Sequence, residues 1–261
     1  MKPVFDEARL IAKRNTLAAL KQTALHDSSY LHRMMCERMK ERLKDVNCVP
    51  SSILQYGSGH CRLEFDKSTT THADTSKSML EMHKKPSKIL LPSMQDLSLI
   101  ENDSYDAAVS ILSMHWLNDP SSVLKQLHSK VRTNSPIIGC FFAQDTLKEL
   151  RSSLQLANAE RKGGYTPHMS PMIRRAEWGS LLKSLGFQAI TVDCEEIVVE
   201  YPSLIHLLND LEAMGERNVK NEGGIGKDVL MSASSIYHKL YGRDNGVIPA
   251  TFEILNFIAW T

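Results

Sequence analysis

The amino-acid sequence predicts an α/β fold, with a central, mostly parallel sheet and helices on both of its faces. Short apolar segments alternate with segments of helical spacing over most of the chain, which is the pattern of βαβ units. Apolar strands joined in this way indicate a parallel sheet that is covered on both sides. A glycine-rich turn directly after the first apolar segment, GSG, adds the kind of loop at which such sheets bind ligands.

The first part of the chain predicts two helices before any strand. Apolar residues recur at helical spacing between Asp6 and Asp45, on both sides of the turn-like letters HDSS. Basic residues are interspersed with acids here, and we interpret them, Arg14 included, as a solvated helix face. The sequence therefore predicts an N-terminal helical extension over residues 1–50 and a main domain over residues 51–261.

From Ser52 onward, strand and helix patterns alternate. Five strands are predicted in the segments SILQY, TTTHA, KILLP, YDAAVSILSM and PIIGCFFA, of which the last is the most hydrophobic. Helical spacing occurs between them in SKSMLEMHKK and PSSVLKQLHSKV. The segment between Gly59 and Asp74 is short, so we expect the helix that should follow the first strand to be truncated.

The C-terminal half predicts four helices and two further strands. DTLKELRSSLQLANAERK and RRAEWGSLLKSLG have helical spacing, and Gly186 is a natural end for the second of them. FQAITVDCEEIVVEY predicts a strand. SLIHLLNDLEAMG and KDVLMSASSIYHKLYG predict a helical insertion over about residues 203–242, before the last strand, PATFEILNFIAWT.

Composition and charge exclude several classes of protein. The chain has 261 residues and a formal net charge of +1, so nothing in the overall balance calls for nucleic acid as a partner. Its longest apolar segments fall far short of the roughly 20 residues that span a bilayer. The 5 cysteines form no C-x-x-C pair, which favours reduced thiols in a cytosol-like compartment.

Gly57, Gly59 and Asp74 are the first candidate ligand-binding residues. Ligands of open α/β sheets bind outside the carboxyl ends of the strands, and glycines there let a ligand approach the backbone. Asp74 ends the second predicted strand, where a carboxylate could bond ribose hydroxyl groups. The dinucleotide fingerprint needs a third glycine where Arg62 stands, which disfavours NAD and FAD. A tight turn without a ligand, with Asp74 as a helix cap, is the alternative interpretation.

Longer motifs resemble known families. YDAAVSILSMHWLNDPSSVLKQLHSKV resembles the fourth strand and following helix of class I S-adenosylmethionine-dependent methyltransferases, including the biotin-synthesis group. DTLKELRSSLQLANAERKGGYTPHMSP, DLEAMGERN and YGRDNGVIPATFEILNFIAW closely resemble the mitochondrial complex I assembly factor 5 family and its bacterial relatives. This resemblance runs from about Phe5 to Trp260. It implies a Rossmann-like class I methyltransferase fold and a protein that hydroxylates an arginine of a complex I subunit during assembly.

The resemblance also implies S-adenosyl-L-methionine as a cofactor, bound weakly because the first motif is degenerate. The family's first strand ends in an acid, where this chain has Gln55, and the third glycine position holds Cys61. Of the acidic pair that contacts adenine, Asp96 remains and Met94 takes the other position. The residues that the resemblance assigns to cofactor binding are Gly57, Gly59, Asp74, Asp96 and His115.

Two residues are the candidate catalytic residues. His115, which follows the fourth predicted strand, could act as a general base because an imidazole titrates near neutral pH. The alternative is a histidine that only packs against Trp116. Asp145 opens the helix after the fifth strand, where a carboxylate could hold a substrate guanidinium, with a helix cap as the alternative.

Other residues are weaker candidates. His72 and Asp74 form an H-x-D pair of the kind that supplies two iron ligands in non-haem oxygenases. Because the pair occupies the ribose-binding position of the fold, no metal site is predicted. The remaining residues that could face a substrate or partner are Glu149, Arg151, His168, Glu216 and Asn218.

Three functions remain open from the sequence. The first is an arginine-modifying protein of complex I assembly, with a complex I subunit as its protein substrate. The second is an ordinary methyltransferase of a small molecule or an acyl carrier, and the third is a non-catalytic assembly chaperone with a degenerate cofactor site. The expected location is the cytoplasm in a bacterium, or the mitochondrial matrix at the inner-membrane face in a eukaryote. We expect no transmembrane segment, and peripheral membrane association is compatible with the sequence.

Overall fold

The computed structural model of the chain describes residues 3–23, 30–46, 50–61, 63–65, 67–84, 87–162, 172–217 and 225–261. Seven strands in this part of the chain form one sheet. Their bounds are β1 (Ser52–Tyr56), β2 (Thr69–Asp74), β3 (Lys88–Leu90), β4 (Ala107–Ile111), β5 (Pro136–Phe142), β6 (Gln188–Tyr201) and β7 (Ile248–Trp260). They lie side by side in the order β3-β2-β1-β4-β5-β7-β6.

The sheet is mostly parallel, which confirms the predicted fold class. β1 to β5 pair in parallel, whereas β7 runs antiparallel to both of its neighbours, β5 and β6. The strand order reverses at β1, because β2 lies on one side of it and β4 on the other. In open α/β sheets such a reversal opens a crevice at the carboxyl ends of the strands.

Helices cover both faces of the sheet. Their bounds are α1 (Glu7–Thr23), α2 (Tyr30–Asp45), α3 (Lys77–Glu81), α4 (Pro120–Lys130), α5 (Lys148–Lys162), α6 (Arg175–Ser184), α7 (Leu204–Met214) and α8 (Lys227–Tyr241). The predicted break HDSS between α1 and α2 lies outside the described residues. None of the helices in the described part of the chain is long and apolar enough to cross a membrane.

The crossover between β1 and β2 contains no helix in its described residues, 57–61, 63–65 and 67–68. The helix that the sequence predicts to be truncated is therefore absent from these described residues. Instead, the amide groups of Gly57 and Ser58 both donate to the carbonyl of Ala73, at 2.8 and 3.2 Å, and hold the turn against the end of β2. The glycine turn thus lacks the helix N-terminus that assists anion binding in many α/β proteins.

The helix after β5 begins three residues later than its sequence pattern predicts. α5 starts at Lys148, and the preceding residues form turns that are bonded to β7. Leu147 donates its amide to the carbonyl of Thr251 at 2.6 Å, and Thr146 donates its hydroxyl to the carbonyl of Glu253 at 2.9 Å. Leu147 has a φ of +55° beside these tertiary hydrogen bonds, and this left-handed conformation is incompatible with an earlier helical start.

Two apolar clusters fill the two sides of the sheet. Alternate residues of the same strand point to opposite faces, so Ile53 joins the cluster under α2, α5, α7 and α8, whereas Leu54 joins the one under α4 and α6. α1 belongs to neither cluster. It packs through two small apolar groups, Phe5 and Leu10 with Trp116, and Leu17 and Ala18 with Met79.

Candidate functional site

A small cavity lies at the carboxyl ends of β1, β2 and β4, where the strand order reverses. It is lined by α1 and α2, by the turn 57–60, by the segment after β4 and by the end of α7. The space inside it that the centre of a water molecule can reach is ≈ 20 Å³, which suits about one water molecule. A nucleoside needs far more room than this.

Arg14 of α1 occupies the centre of this region. Its Nη1 donates to both carboxylate oxygens of Asp74, at 3.3 and 3.2 Å, and its Nη2 donates to the hydroxyl of Ser113 at 3.3 Å. Arg14 is 9% exposed and Asp74 is fully buried. The interpretation of Arg14 as part of a solvated helix face is therefore wrong. The helix pattern could not show this, because the acid that attracts Arg14 lies 60 residues away in the sequence.

Asp74 has further donors besides Arg14. Its Oδ2 accepts the amide of Gly59 at 2.8 Å, and its Oδ1 accepts the amide of Ser76 at 2.8 Å. Ser76, rather than Asp74, caps α3 through its own side chain. The carboxylate at the predicted ribose position thus binds the protein's own turn, its own helix start and its own guanidinium.

The glycine turn is packed tightly against the segment after β4. Gly57 and Gly59 have φ values of +63° and +45°, which confirms that the turn uses the conformational freedom of glycine. A Cβ added at Gly57 would lie only 2.7 Å from the Cβ of Ser113 and 3.4 Å from the Cε of Met94. The backbone at Gly57 is therefore approached by side chains of the protein itself.

Gln55, which stands where the family has an acid, is fully buried and bonds its own loop. Its Nε2 donates to the carbonyl of Cys61 at 3.0 Å, and its Oε1 accepts the amide of Leu63 at 3.4 Å. An amide can both donate and accept, whereas an ionised carboxylate only accepts. The replacement therefore stabilises the loop between β1 and β2 and leaves this position without an anionic group.

Further residues of α1 contact the segments at the carboxyl ends of the strands. Glu7 accepts the hydroxyl of Ser93 at 2.9 Å and the amide of Met94. Asn15 accepts the hydroxyl of Ser76 through its Oδ1 at 2.7 Å. Together with Arg14, these contacts connect α1 to the end of β2 and to the segments that follow β2, β3 and β4.

His115 lies in a short 3₁₀ turn, Met114–Trp116, directly after β4. Its Nε2 is 2.9 Å from Oε2 of Glu216, while His32 of α2 places its Nε2 3.8 Å from Oε1 of the same carboxylate. The Nδ1 of His115 is buried, with no hydrogen-bond partner in the described part of the chain. The centroid of the His115 ring lies 5.0 Å from that of Trp116 and 5.1 Å from that of Phe142. The alternative interpretation, a histidine that packs against Trp116, therefore describes part of its surroundings.

Glu216 is brought to this place by the end of α7. Gly215 takes a left-handed conformation, with φ +83°, and ends the helix, after which the amide of Glu216 donates back to the carbonyl of Leu211 at 2.8 Å. Burial raises the pKa of Glu216, but His115, and then His32 and Arg14, outweigh it, so the pKa lies below its usual value. The carboxylate is therefore anionic at neutral pH and lines the same cavity as Arg14.

Asp96 and Asp145 do not line the cavity. The carboxylate of Asp96 accepts the amide of Ser98 at 2.9 Å, and hydrogen bonds from Ser98 hold the pKa of Asp96 below its usual value. Asp145 is exposed after β5, and its amide donates to Oε2 of Glu253 at 2.7 Å.

The remaining candidates are placed as follows. The rings of His72 and His83 stack with centroids 3.9 Å apart, whereas Asp74 bonds Arg14. The two residues of the H-x-D pair therefore have separate partners. No group of three His, Cys, Asp or Glu side chains in the described ranges is arranged to hold a metal ion. Glu149 is buried and accepts the hydroxyl of Thr251, a structural contact with β7. His168 and Asn218 lie outside the described residues.

In this conformation Arg14 and Ser113 occupy the position at which S-adenosylmethionine would bind. The cofactor's ribose would need the carboxylate of Asp74, which Arg14 already bonds, and the turn at Gly57 is covered by Ser113. The enclosed space suits about one water molecule. Sequence reasoning missed Arg14 and Ser113 because neither lies in a recognisable ligand motif.

Comparisons with known proteins define first the class and then the family. A family model described as a methyltransferase domain matches residues 54–138. A SAM-dependent methyltransferase from Thermotoga maritima has a TM-score of 0.52 at 11% sequence identity, and the match covers 96% of this chain and 99% of that chain. The protein therefore has the Rossmann-like fold of the class I methyltransferases, as predicted.

The family follows from relatives of higher identity. Arginine-hydroxylase NDUFAF5, mitochondrial, from Danio rerio is 34% identical over 98% of this chain and 82% of that protein. Malonyl-[acyl-carrier protein] O-methyltransferase from Laribacter hongkongensis is 26% identical over 98% of this chain and 89% of that protein. The chain belongs to the arginine-hydroxylase NDUFAF5 family. The predicted resemblance to the complex I assembly factor 5 family is confirmed.

Proposed function

We propose that this protein acts in the assembly of respiratory complex I by hydroxylating an arginine side chain of one of its subunits. The observation that carries the proposal is the 34% identity to arginine-hydroxylase NDUFAF5 over 98% of this chain. That similarity extends far beyond the generic methyltransferase domain at residues 54–138. The proposed place of action in a eukaryote is the mitochondrion, which the name of the relatives supports, and within it the matrix at the inner-membrane face. In a bacterium the proposed place is the cytoplasm.

His115 is the proposed catalytic base. The Nε2 of His115 lies 2.9 Å from the carboxylate of Glu216 and donates to it, because an ionised carboxylate only accepts hydrogen bonds. Nδ1 then carries the lone pair that accepts a proton. An acid that orients a histidine in this way is a general arrangement for base catalysis. A Glu216→Gln variant should lower activity and move its pH profile, whereas a purely structural role would change stability alone.

Asp145 remains the second proposed catalytic residue, as a carboxylate that holds the substrate guanidinium. Its exposed position after β5 suits the first encounter with a basic segment of the protein substrate. An Asp145→Asn variant should raise KM for the protein substrate more strongly than it lowers kcat. Substitution of Lys148, which is also exposed and nearby in sequence, is the matched control, because it leaves the carboxylate of Asp145 intact.

Gly57, Gly59, Asp74, Asp96 and His115 remain the proposed cofactor-binding residues. The methyltransferase domain supports S-adenosylmethionine as the cofactor. Because Arg14 must first leave Asp74, we expect weak binding. Calorimetric titration with millimolar S-adenosylmethionine tests this expectation, and the absence of any heat or thermal shift would remove the cofactor from the proposal.

The hydroxylation itself is tested in cells. Deleting the gene should remove the mass of one oxygen atom from one arginine of a complex I subunit, measured by mass spectrometry, and restoring the gene should return it. An arginine that carries no added oxygen in the parent strain would refute the proposal. Accumulation of incomplete complex I without any change at an arginine would instead support the second candidate, a non-catalytic assembly chaperone. That candidate is favoured by the filled cleft around Arg14.

A further inference from the structure

Cys36 and Cys61 bring two thiols together beside the glycine turn. Cys36 lies on α2, and Cys61 directly follows the turn 57–60 after β1. Their side chains are hydrogen-bonded to each other, although they are far apart in the sequence. Both belong to the same apolar cluster, and their exposed fractions are 4% and 3%. The contact therefore joins α2 to the end of the turn inside the protein.

The backbone around Cys61 keeps the pair in this position. The Sγ of Cys61 donates to the carbonyl of His32 at 3.4 Å, and in an α-helix that carbonyl accepts the amide of Cys36. The thiol of Cys61 thus contacts α2 at the helical turn that carries Cys36. The amide of Cys61 donates to the carbonyl of Ser58 at 3.0 Å, and its carbonyl accepts Nε2 of Gln55, also at 3.0 Å.

The thiol of Cys36 also differs from that of Cys140, which is buried in the same cluster. The hydrogen bond with Cys61 lowers the pKa of Cys36 below its usual value and, with the charge of Lys40, outweighs burial, which raises that pKa. Burial raises the pKa of Cys140 to about 12. Because the thiolate is the nucleophilic form, Cys36 is the better nucleophile of the two at neutral pH, and Cys61 lies beside it.

We propose that Cys36 and Cys61 form a site of reversible oxidation, at which hydrogen peroxide produces a disulfide that joins α2 to the end of the glycine turn. The oxidant is a small, neutral peroxide, because the burial of both thiols excludes larger reagents. A nucleophilic thiol beside a second thiol is the arrangement found in redox-sensing cysteines. The site uses none of the residues proposed above for catalysis or cofactor binding, so it does not depend on the proposed function.

The reaction consumes one molecule of hydrogen peroxide. The thiolate of Cys36 attacks one peroxide oxygen, so that an S–O bond forms, the O–O bond breaks and hydroxide leaves. The sulfur of Cys61 then attacks the sulfur of Cys36, so that the S–S bond forms, the S–O bond breaks and a second hydroxide leaves. The protons of the two thiols combine with the two hydroxide ions to give two water molecules. The two sulfurs together lose two electrons, which the peroxide oxygens gain.

The disulfide would restrict the glycine turn. In the reduced protein the turn is held by hydrogen bonds, such as that from the amide of Gly59 to Asp74 at 2.8 Å. A covalent bond between Cys36 and Cys61 closes a loop that contains β1, and it limits the conformations of the unfolded chain. Amides that are protected by hydrogen bonds exchange when their segment opens. We therefore expect the oxidised protein to be more stable and to exchange the amides of the turn more slowly.

Peptide mapping of the oxidised wild-type protein tests the site directly. The protein is treated with a few equivalents of hydrogen peroxide at neutral pH, unfolded in the presence of iodoacetamide and digested without reduction. Mass spectrometry should find the peptides of Cys36 and Cys61 joined, with a mass lower by two hydrogen atoms than their sum, and dithiothreitol should restore both thiols. Sulfinic acid at Cys36 without the link, a disulfide between other cysteines, or unchanged thiols would overturn the proposal.

Thermal unfolding and hydrogen exchange measure the consequence. Oxidation should raise Tm of the wild type by about 5–10 °C and slow the exchange of the amides of Gly59 and Cys61. Cys36→Ser and Cys61→Ser should show neither change, whereas Cys194→Ser, which alters a half-buried thiol on β6, should behave as the wild type. A Tm that does not rise on oxidation, or a rise that persists in Cys36→Ser, contradicts the proposal. The mapping needs no variant, so the test holds even if a serine variant does not fold.

Discussion

An Asp74→Asn substitution should be among the most costly single changes in this protein. Asparagine has the same shape, but its amide accepts hydrogen bonds at one oxygen only, so it cannot receive the amides of both Gly59 and Ser76. It also leaves the guanidinium of Arg14 without its anionic partner, with the hydroxyl of Ser113 remaining. Hydrogen bonds to a charged group contribute about 1.5–3 kcal/mol each, and breaking a buried ion pair costs about 3–5 kcal/mol.

The two contributions overlap, since the ion pair is itself made of hydrogen bonds. The side chain of Arg14 is 10% exposed, so water reaches it to a small extent and lowers the cost. We therefore expect the free energy of unfolding to fall by about 3 kcal/mol. Urea titration at neutral pH, followed by circular dichroism, measures this loss if the m value is unchanged.

A double-mutant cycle with Arg14→Met isolates the interaction. If the pair is coupled, the double variant should be more stable than the sum of the two single losses implies, by about 2 kcal/mol. A loss under about 1 kcal/mol for Asp74→Asn, or single losses that add within about 0.5 kcal/mol, would refute the reasoning. Arg9→Met combined with Asp74→Asn should be additive, because Arg9 contacts Asp6 rather than Asp74.

Three further predictions follow from the geometry of the same region and of the core. The pKa of Glu216 lies below its usual value of 4.5, so its stabilising effect is present above that value and is lost as the pH falls through the folded pKa. Urea titrations between about pH 6 and pH 3 should therefore show a steeper loss for the wild type than for Glu216→Gln. Gly57→Ala should destabilise by about 1–3 kcal/mol, because φ is positive and the new Cβ meets Ser113. Gly59→Ala should cost less, because its Cβ makes only an ordinary contact of 3.8 Å with the carbonyl oxygen of Gly57; thermal unfolding compares the two variants. Burial raises the pKa of the Cys140 thiol to about 12, so iodoacetamide at pH near 8 should leave it unmodified in the folded protein and label it after unfolding, as mass spectrometry can show.

The order and type of the secondary-structure elements could be predicted from the sequence. β5, for example, is fully buried and consists of a continuous apolar segment, and such segments form central strands in any α/β fold. Gly186 ends α6 as predicted, with φ +89°, because the left-handed conformation is accessible to glycine at little cost. These features depend on local sequence, so a local pattern suffices.

The start of α5 shows where local patterns fail. DTLKELR has the spacing of a helix from its first residue, but Thr146 and Leu147 are bonded to β7, more than 100 residues later in the chain. Periodicity contains no information about such partners. The positive φ of Leu147, +55°, is a consequence of the same contact and could not be read from the sequence.

The sequence determined the fold, the family and the positions of Gly57, Gly59, Asp74 and His115 at the carboxyl edge of the sheet, because strand ends and glycine turns are local features. Only the tertiary structure decided what these residues contact. The partner of Asp74 is Arg14, 60 residues earlier, and that of His115 is Glu216, 101 residues later. Such hydrogen bonds and ion pairs form wherever the fold brings the partner groups together, and the spacing of polar residues along a chain does not reveal them.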